Sequence, residues 1–317
     1  MIIDVFSYLP TAVHMRYMLN TFAATPDYLS NVFGKTIAQV CGVSPEEFQR
    51  LKQLPDVHAF AEALAARAGE GYPLEKFVQD LERMGVAWII VHGEDNETTL
   101  GLTPIPNDYW AEVMRKFPGK IVALAGADPH KGAWAVAEFE RAVRELGFKG
   151  LWVVPFQHRI YADDPRYGAL FGKCQELGVP LLIHTGVNWD SAGPMDYCTP
   201  RHLDRLAVEF PELTIIASHA GWPWILDMVT VAWRHRHVYL EISAHNPRYF
   251  TRPGAGWEPL LHFGNSTIQE KVMFGSAWFL MGRSIEELAQ DVRDLPLKPE
   301  VVEKWLSGNA KRVFQLA

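Results

Sequence analysis

The sequence predicts an α/β protein, a (β/α)8 TIM barrel with a largely helical insertion after its first strand. Two observations predict it. Eight short apolar and β-branched runs recur along the 317-residue chain, with helical patterns in the gaps between them. From the third run onward their starts fall at 121, 150, 180, 213, 238 and 271, intervals of 25 to 33 residues that suit one βα unit per repeat.

The runs span residues 2–7, 86–91, 121–125, 150–154, 180–184, 213–218, 238–242 and 271–275. They are nearly all apolar rather than alternating, as expected of parallel strands covered on both faces. A doubly wound open sheet would place a glycine-rich phosphate loop after its first strand. Here that position reads Ser7-Tyr8-Leu9-Pro10, with no glycine. Between the runs, residues 74–84 carry Leu74, Phe77, Val78 and Leu81 at helical spacing, and 134–146 carry Val136, Phe139 and Val143. Helical patterns at 299–306 and 310–316 come last in the chain. Residues 9–73 are too long for one βα connection. They mix aromatics (Tyr17, Phe22, Tyr28, Phe33) with helix-forming stretches at 45–51 and 57–67. This insertion follows the C-terminal end of the first strand, so it reads as a cap, a subunit contact or a surface excursion within one domain covering 1–317.

Composition narrows the function. A formal net charge of −7 argues against nucleic acid as a main partner, because phosphate binding needs a basic surface. No apolar run reaches a membrane span. Cys41, Cys174 and Cys198 are odd in number and widely spaced, which suits a reducing compartment rather than a disulfide framework. The start, MIIDVFSYLP, has no basic n-region, and a cytoplasmic location is expected.

Barrels carry chemistry at the C-terminal ends of their strands. Those ends hold Phe6-Ser7-Tyr8, His92-Gly93-Glu94, Asp128-Pro129-His130, His158-Arg159, His184-Thr185-Gly186, Ser218-His219, Glu241-Ile242-Ser243 and Gly275-Ser276-Ala277-Trp278. Five of the eight carry histidine, which suits proton transfer and metal ligation near neutral pH. His130 reads as structural, in a turn organised by Asp128, and His235 and His237 read as solvated.

Several stretches together carry a resemblance: Ile2-Ile3-Asp4, Asp128-Pro129-His130-Lys131-Gly132, Gly147 through Leu151, Val179 through Gly186, Ser218 through Trp224, Phe274-Gly275-Ser276 and Gly308-Asn309-Ala310. Their order resembles the decarboxylase-like (amidohydrolase 2) branch of the amidohydrolase superfamily. That branch includes the aminocarboxymuconate-semialdehyde, γ-resorcylate and 5-carboxyvanillate decarboxylases. The resemblance implies one divalent metal held by a His-x-His pair on strand 1, a histidine on strand 5 and an aspartate on strand 8. A strand 6 histidine then works on the substrate. Here the pair reads Phe6-Ser7-Tyr8, the aspartate reads Ala277, and strand 4 has Trp152 where the family often has lysine. His184 and His219 remain. A phenyl ring cannot ligate, and catalytic zinc generally needs three protein ligands.

The expected function is therefore a metal-independent lyase or hydrolase acting on a small carboxylated, aromatic molecule. His184 and His219 serve as acid and base, and Tyr8 as donor to a developing oxyanion. Arg159 or His158 would hold a carboxylate. His92, Glu241, Trp222 and Trp189 complete the expected binding site, within a tryptophan-rich rim that includes Trp152, Trp224 and Trp278. No metal and no cofactor is assigned, and a homodimer is expected. Two other readings stay open: a non-catalytic barrel that binds a ligand or a partner chain, and a metal held by rearranged ligands among His92, Glu94 and Glu241.

Overall fold

Eight parallel strands stand side by side in chain order in the computed structural model, which describes residues 1–25, 27–69 and 71–317. They are β1 (Ile2–Asp4), β2 (Val86–His92), β3 (Ile121–Gly126), β4 (Leu151–Val153), β5 (Leu181–His184), β6 (Ile215–Ser218), β7 (Val238–Glu241) and β8 (Val272–Met273). Each expected run holds one strand; β2 and β3 run one residue past the expected ends, and the other six are trimmed. The first strand stops at Asp4 rather than residue 7. Beyond it the backbone makes single contacts with its two neighbours instead of a ladder. Val5 N–H donates to Phe274 O (3.0 Å), Ser7 N–H to Ile90 O (3.0 Å), and Ala277 N–H to Phe6 O (2.9 Å). The Asp4 carboxylate bridges the same seam, accepting from Ser276 N–H (2.7 Å) and Ser276 Oγ (2.6 Å). These bonds close β8 onto β1 and complete the ring.

Alternation within each run sorts the core into two clusters, because successive strand side chains point to opposite faces. Ile2, Ile89, Val91, Leu151, Val153, Ile183, Ile215 and Leu240 pack outward against the surrounding helices. Ile3, Ile90, Val122, Leu124, Trp152, Leu182, Ile216 and Met273 fill the barrel. The interior cluster continues without a break into the insertion, through Met18, Leu19, Phe22, Tyr28 and Leu29.

The insertion folds as helices Ala12–Ala24, Gly34–Val40, Pro45–Leu51 and Val57–Ala68, with a π-turn at Tyr28–Val32. Short polar residues start three of them: Thr11, Ser44 and Asp56 each accept a backbone N–H three residues on. At the other end of the chain the two expected helices are shorter, Pro299–Glu303 and Asn309–Val313, with a π-turn at Lys304–Gly308 between them. That turn offers the Trp305 carbonyl to Phe274 N–H (2.8 Å) beside β8. The three cysteines are free and buried. Among the described residues no helix is long and apolar enough to cross a membrane.

Candidate active site

The interior face of each strand leads to the same place. Leu182 and Ile90 point into the barrel, so His184 and His92, two residues on, point there too. His184 pairs in register with Ser218 at the end of β6, which sets His219 beside it. The two imidazole rings lie 4.9 Å apart at 71°. His219 (φ 62) and Ala220 (φ 51) both adopt left-handed backbone, an uncommon state for non-glycine residues that needs support from its surroundings.

Glu241 gives that support. Its carboxylate is fully buried at the end of β7 and accepts the His219 backbone N–H at 2.9 Å. It also accepts from Ser218 Oγ, from Ser243 N–H (2.8 Å) and from Ser243 Oγ (2.7 Å). Ser243 Oγ has therefore committed its proton to Glu241. His219 Nδ1 lies 2.9 Å from that oxygen and 3.2 Å from the Ser243 carbonyl, which can only accept. This bonding assigns the proton to Nδ1 and the lone pair to Nε2. Nε2 has no partner nearer than Ser218 Oγ at 3.5 Å. The Glu241 carboxylate stands 3.6 Å from Nδ1, placed to stabilise an imidazolium.

Phe6 takes the centre of the barrel mouth. Its ring lies 4.2 Å from the His92 ring, 5.1 Å from Trp152 and 5.2 Å from His219. His92 is buried behind it, and neither of its ring nitrogens has a hydrogen-bond partner. Ala277, where a strand 8 carboxylate would stand, is buried and spends its N–H on Phe6 O. The donor set does not fit a divalent ion. Among the described residues no three His, Cys, Asp or Glu side chains gather as ligands. The rearranged trio does not gather either: Phe6 packs against His92, and Glu241 gives its oxygens to Ser218, the His219 N–H and Ser243.

Above these residues lies a narrow cavity with a free volume of about 70 Å³. Its floor is Phe6, Tyr8, Trp152, His184 and His219. Its roof is Met18, Phe22, Tyr28 and Phe33 of the insertion, and its mouth is Trp189 and Trp222. The insertion holds the mouth loop directly: Tyr28 Oη accepts Trp189 N–H at 3.2 Å, and Asp27 binds Ser191. Gly186 allows that loop to leave β5, since at φ 83 a Cβ would sit 2.4 Å from the Trp222 carbonyl. Burial holds the three cavity histidines neutral, pushing His184 well below the ordinary histidine range, His245 to about 3, and His219 below it despite Glu241. Burial also keeps Tyr8 a neutral phenol and pushes the Glu94 carboxyl up to about 7.

Of the residues singled out from sequence, the fold brings His184, His219, Tyr8, Trp189 and Trp222 to this cavity. Glu241 lies beneath it, bonded to the His219 loop, and His92 lies behind Phe6. His158 and Arg159 are elsewhere. His158 bonds Tyr167 Oη (2.6 Å) and the Asp95 carbonyl (3.0 Å), and Arg159 is exposed at φ 55, pointing to no cavity atom. The short helix Pro155–His158 turns both away from the mouth. Trp224 and Trp278 also lie off the cavity; the Trp278 indole instead donates to the Tyr8 carbonyl (3.0 Å). His235 is not simply solvated, since its Nε2 bonds Asp204 at 2.7 Å. His245 and Ser243 had no assigned role from sequence. The inward period of β7, running Tyr239, Glu241, Ser243, His245, was the available signal.

A family model described as amidohydrolase matches residues 55–316. The chain is 27% identical over 188 residues to a γ-resorcylate decarboxylase of Rhizobium sp. strain MTP-10005, covering 49% of this chain and 54% of that protein. It is 21% identical over 245 residues to the 2-amino-3-carboxymuconate-6-semialdehyde decarboxylase of Dictyostelium discoideum, covering 68% of this chain and 66% of that one. The chain thus spans about half the length of the Rhizobium relatives it matches. Among solved structures, an uncharacterised TIM-barrel protein of Bordetella bronchiseptica superposes with a TM-score of 0.69 at 23% identity, covering 99% of this chain and 98% of that one. A 5-carboxyvanillate decarboxylase of Sphingomonas paucimobilis gives 0.62 at 20% identity, covering 80% and 86%. At these identities the superpositions establish the fold.

Proposed function

The chain belongs to the amidohydrolase superfamily, in its decarboxylase-like branch, and on that premise we propose that it is a metal-independent enzyme acting on a small carboxylated aromatic molecule by histidine acid–base catalysis. One observation carries the reading. The Glu241–Ser243–His219 arrangement holds a neutral imidazole with its lone pair on Nε2, at the floor of a cavity also lined by His184 and Tyr8. That is the geometry of a general base with a buried carboxylate to stabilise its protonated form.

The reaction class follows from the relatives' chemistry, a carbon–carbon cleavage that needs proton transfer. In this reading a ring hydroxyl of the substrate gives its proton to His219 Nε2. The imidazolium returns that proton to the ring carbon bearing the carboxylate. The C–C bond then breaks, its electron pair stays on the ring, and CO2 leaves. The phenolate takes a proton from water. Tyr8, a neutral donor, stabilises oxygen charge as it develops. Hydrolysis of an ester or lactone would use the same base on water. Trp189 and Trp222, with ring centroids 6.5 Å apart and planes 31° from parallel, suit a flat ring entering between them.

The test is CO2 release from 2,6-dihydroxybenzoate and 5-carboxyvanillate, before and after chelation. Activity should survive chelation, and His219→Ala should lower kcat by about 10²- to 10⁴-fold. Turnover that appears only on adding a divalent ion would sink the metal-independent reading. Unchanged turnover in both His184→Ala and His219→Ala would sink the catalytic one. The small free volume of the cavity favours a second reading, a non-catalytic barrel that binds a ligand or a partner chain. Binding without turnover in the unaltered protein would select it.

A further inference from the structure

The cavity has an unusual charge inventory for a site that takes an acid. Among its described lining residues there is no lysine and no arginine. The nearby cations are committed elsewhere. Lys131 binds Asp95 (2.7 Å) and Glu97 (2.8 Å) in a separate outer cleft, and Arg159 is exposed and off the cavity. A carboxylate brought into such a place would lose its hydration with no cation to replace it. The acidic side chain on the cavity wall is Glu94.

Glu94 is buried, and its carboxyl is sparsely bonded. Asn96 Nδ2 approaches its Oε2 at 3.4 Å while bonding Gln157 Oε1 more closely at 2.9 Å. Around it stand Tyr8 from the segment after β1, Tyr17 from helix Ala12–Ala24 and Trp152 from β4. The Tyr17 hydroxyl donates to the Glu94 carbonyl rather than to its side chain (3.0 Å). His184, His219 and His245 share the cavity and are held neutral by burial. Asp95 and Glu97 lie on the outer side, paired with Lys131. Thus, among the described residues, no fixed positive charge faces Glu94 across the cavity.

We propose that Glu94 is the carboxyl-recognition residue of this cavity, binding the ligand's carboxylate as an acid–carboxylate pair that shares one proton. This rests on the reading of the cavity as a site for a carboxylated molecule. The proton is the one Glu94 carries, or takes from solvent on binding. The complex then holds one net negative charge between two carboxyl groups, spread over a short O–H···O⁻ hydrogen bond. Two carboxyls at such a distance cannot both ionise, so the pair keeps its proton. The device selects aromatic acids without an arginine clamp.

The experiment is calorimetric titration with benzoate, an unreactive probe, between pH 6 and 9 in buffers of differing ionisation heat. Benzamide is the neutral control. Glu94 titrates at about 7 in the free protein. Above that pH, benzoate binding should take up close to one proton and weaken about tenfold per pH unit. Benzamide binding should be flat. In Glu94→Gln the benzoate profile should also become flat, with no proton uptake, while Glu94→Asp should keep the uptake. Benzamide binding reports that each variant retains its cavity. Benzoate binding that is pH-independent, or a Glu94→Gln profile that matches the unaltered protein, overturns the proposal and leaves the carboxylated-substrate reading standing. Benzamide bound and benzoate refused overturns both. Failure of both probes to bind overturns the proposal as well.

Discussion

His219 shows how much of a site is built by residues that never meet a substrate. Its tautomer is set by Ser243, the Ser243 proton by Glu241, and the position of Glu241 by the absence of a side chain at Gly275. A Cβ on Gly275 would lie 2.3 Å from Glu241 Oε2 and 2.9 Å from the Cβ atoms of Phe6 and Ser243. Gly275→Ala is therefore expected to destabilise the fold by about 1–3 kcal/mol through overpacking. It should also lower kcat with little change in KM, because the carboxylate must move and His219 loses its support. Denaturant unfolding beside steady-state kinetics checks both; an alanine variant of full stability and full kcat would mean that Glu241 does not position the base. At this scale the sequence was readable in part. His184 and His219 were found by position at strand ends, and Tyr8 by its two-residue spacing from Phe6. Arg159 was misplaced because a strand-end position says nothing about the left-handed turn that points it outward. Glu94 drew attention only as a rearranged ligand, since burial, which makes its carboxyl unusual, is invisible in one sequence.

The elements divide into those that carry the site and those that cover it. The β-strands carry it, and their rhythm was legible because each must present an apolar run to the core. The insertion covers it, and its packing was not legible, because nothing in residues 9–73 says which aromatic meets which barrel loop. The structure answers with Tyr28, which stacks on Phe156 at 5.6 Å and accepts the Trp189 N–H through its hydroxyl. Tyr28→Phe keeps the stacking and removes that acceptor. The variant should keep its thermal stability within about 1 kcal/mol, the range of one part-buried hydrogen bond. Its KM should rise several-fold while kcat changes little, because the loop bearing Trp189 loses a tether to the roof. A fall in kcat at constant KM would instead place Tyr28 in the chemical step.

The whole molecule buries an unusual number of neutral imidazoles. Burial lowers His14 and His245 to about 3, His158 to about 4, and His92 and His184 well below the ordinary value of 6.5. Each gives stability that is complete above 6.5 and is lost as pH falls towards its folded value, because the unfolded chain takes up a proton that the folded one refuses. Asp4 and Glu94 work in the opposite sense: both are raised to about 7, so each favours the folded state more as pH falls from 7 towards 4. With roughly 1.4 kcal/mol per pH unit for every group between its two values, five histidines outweigh two carboxyls. The melting temperature should therefore drop between pH 7 and pH 5; a flat or rising profile would show that these histidines are hydrated. The ring itself has one more consequence. It closes through Val5 with Phe274, Phe6 with Ala277 and Asp4 with Ser276, pairs separated by roughly 270 positions. Contacts so distant in sequence form late, since they must wait for the intervening chain. During synthesis His184 and His219 leave the ribosome well before the last strand does. The Phe6 carbonyl has no Ala277 N–H to hold it until that strand arrives, so the floor of the cavity is completed only after almost the whole barrel has been made.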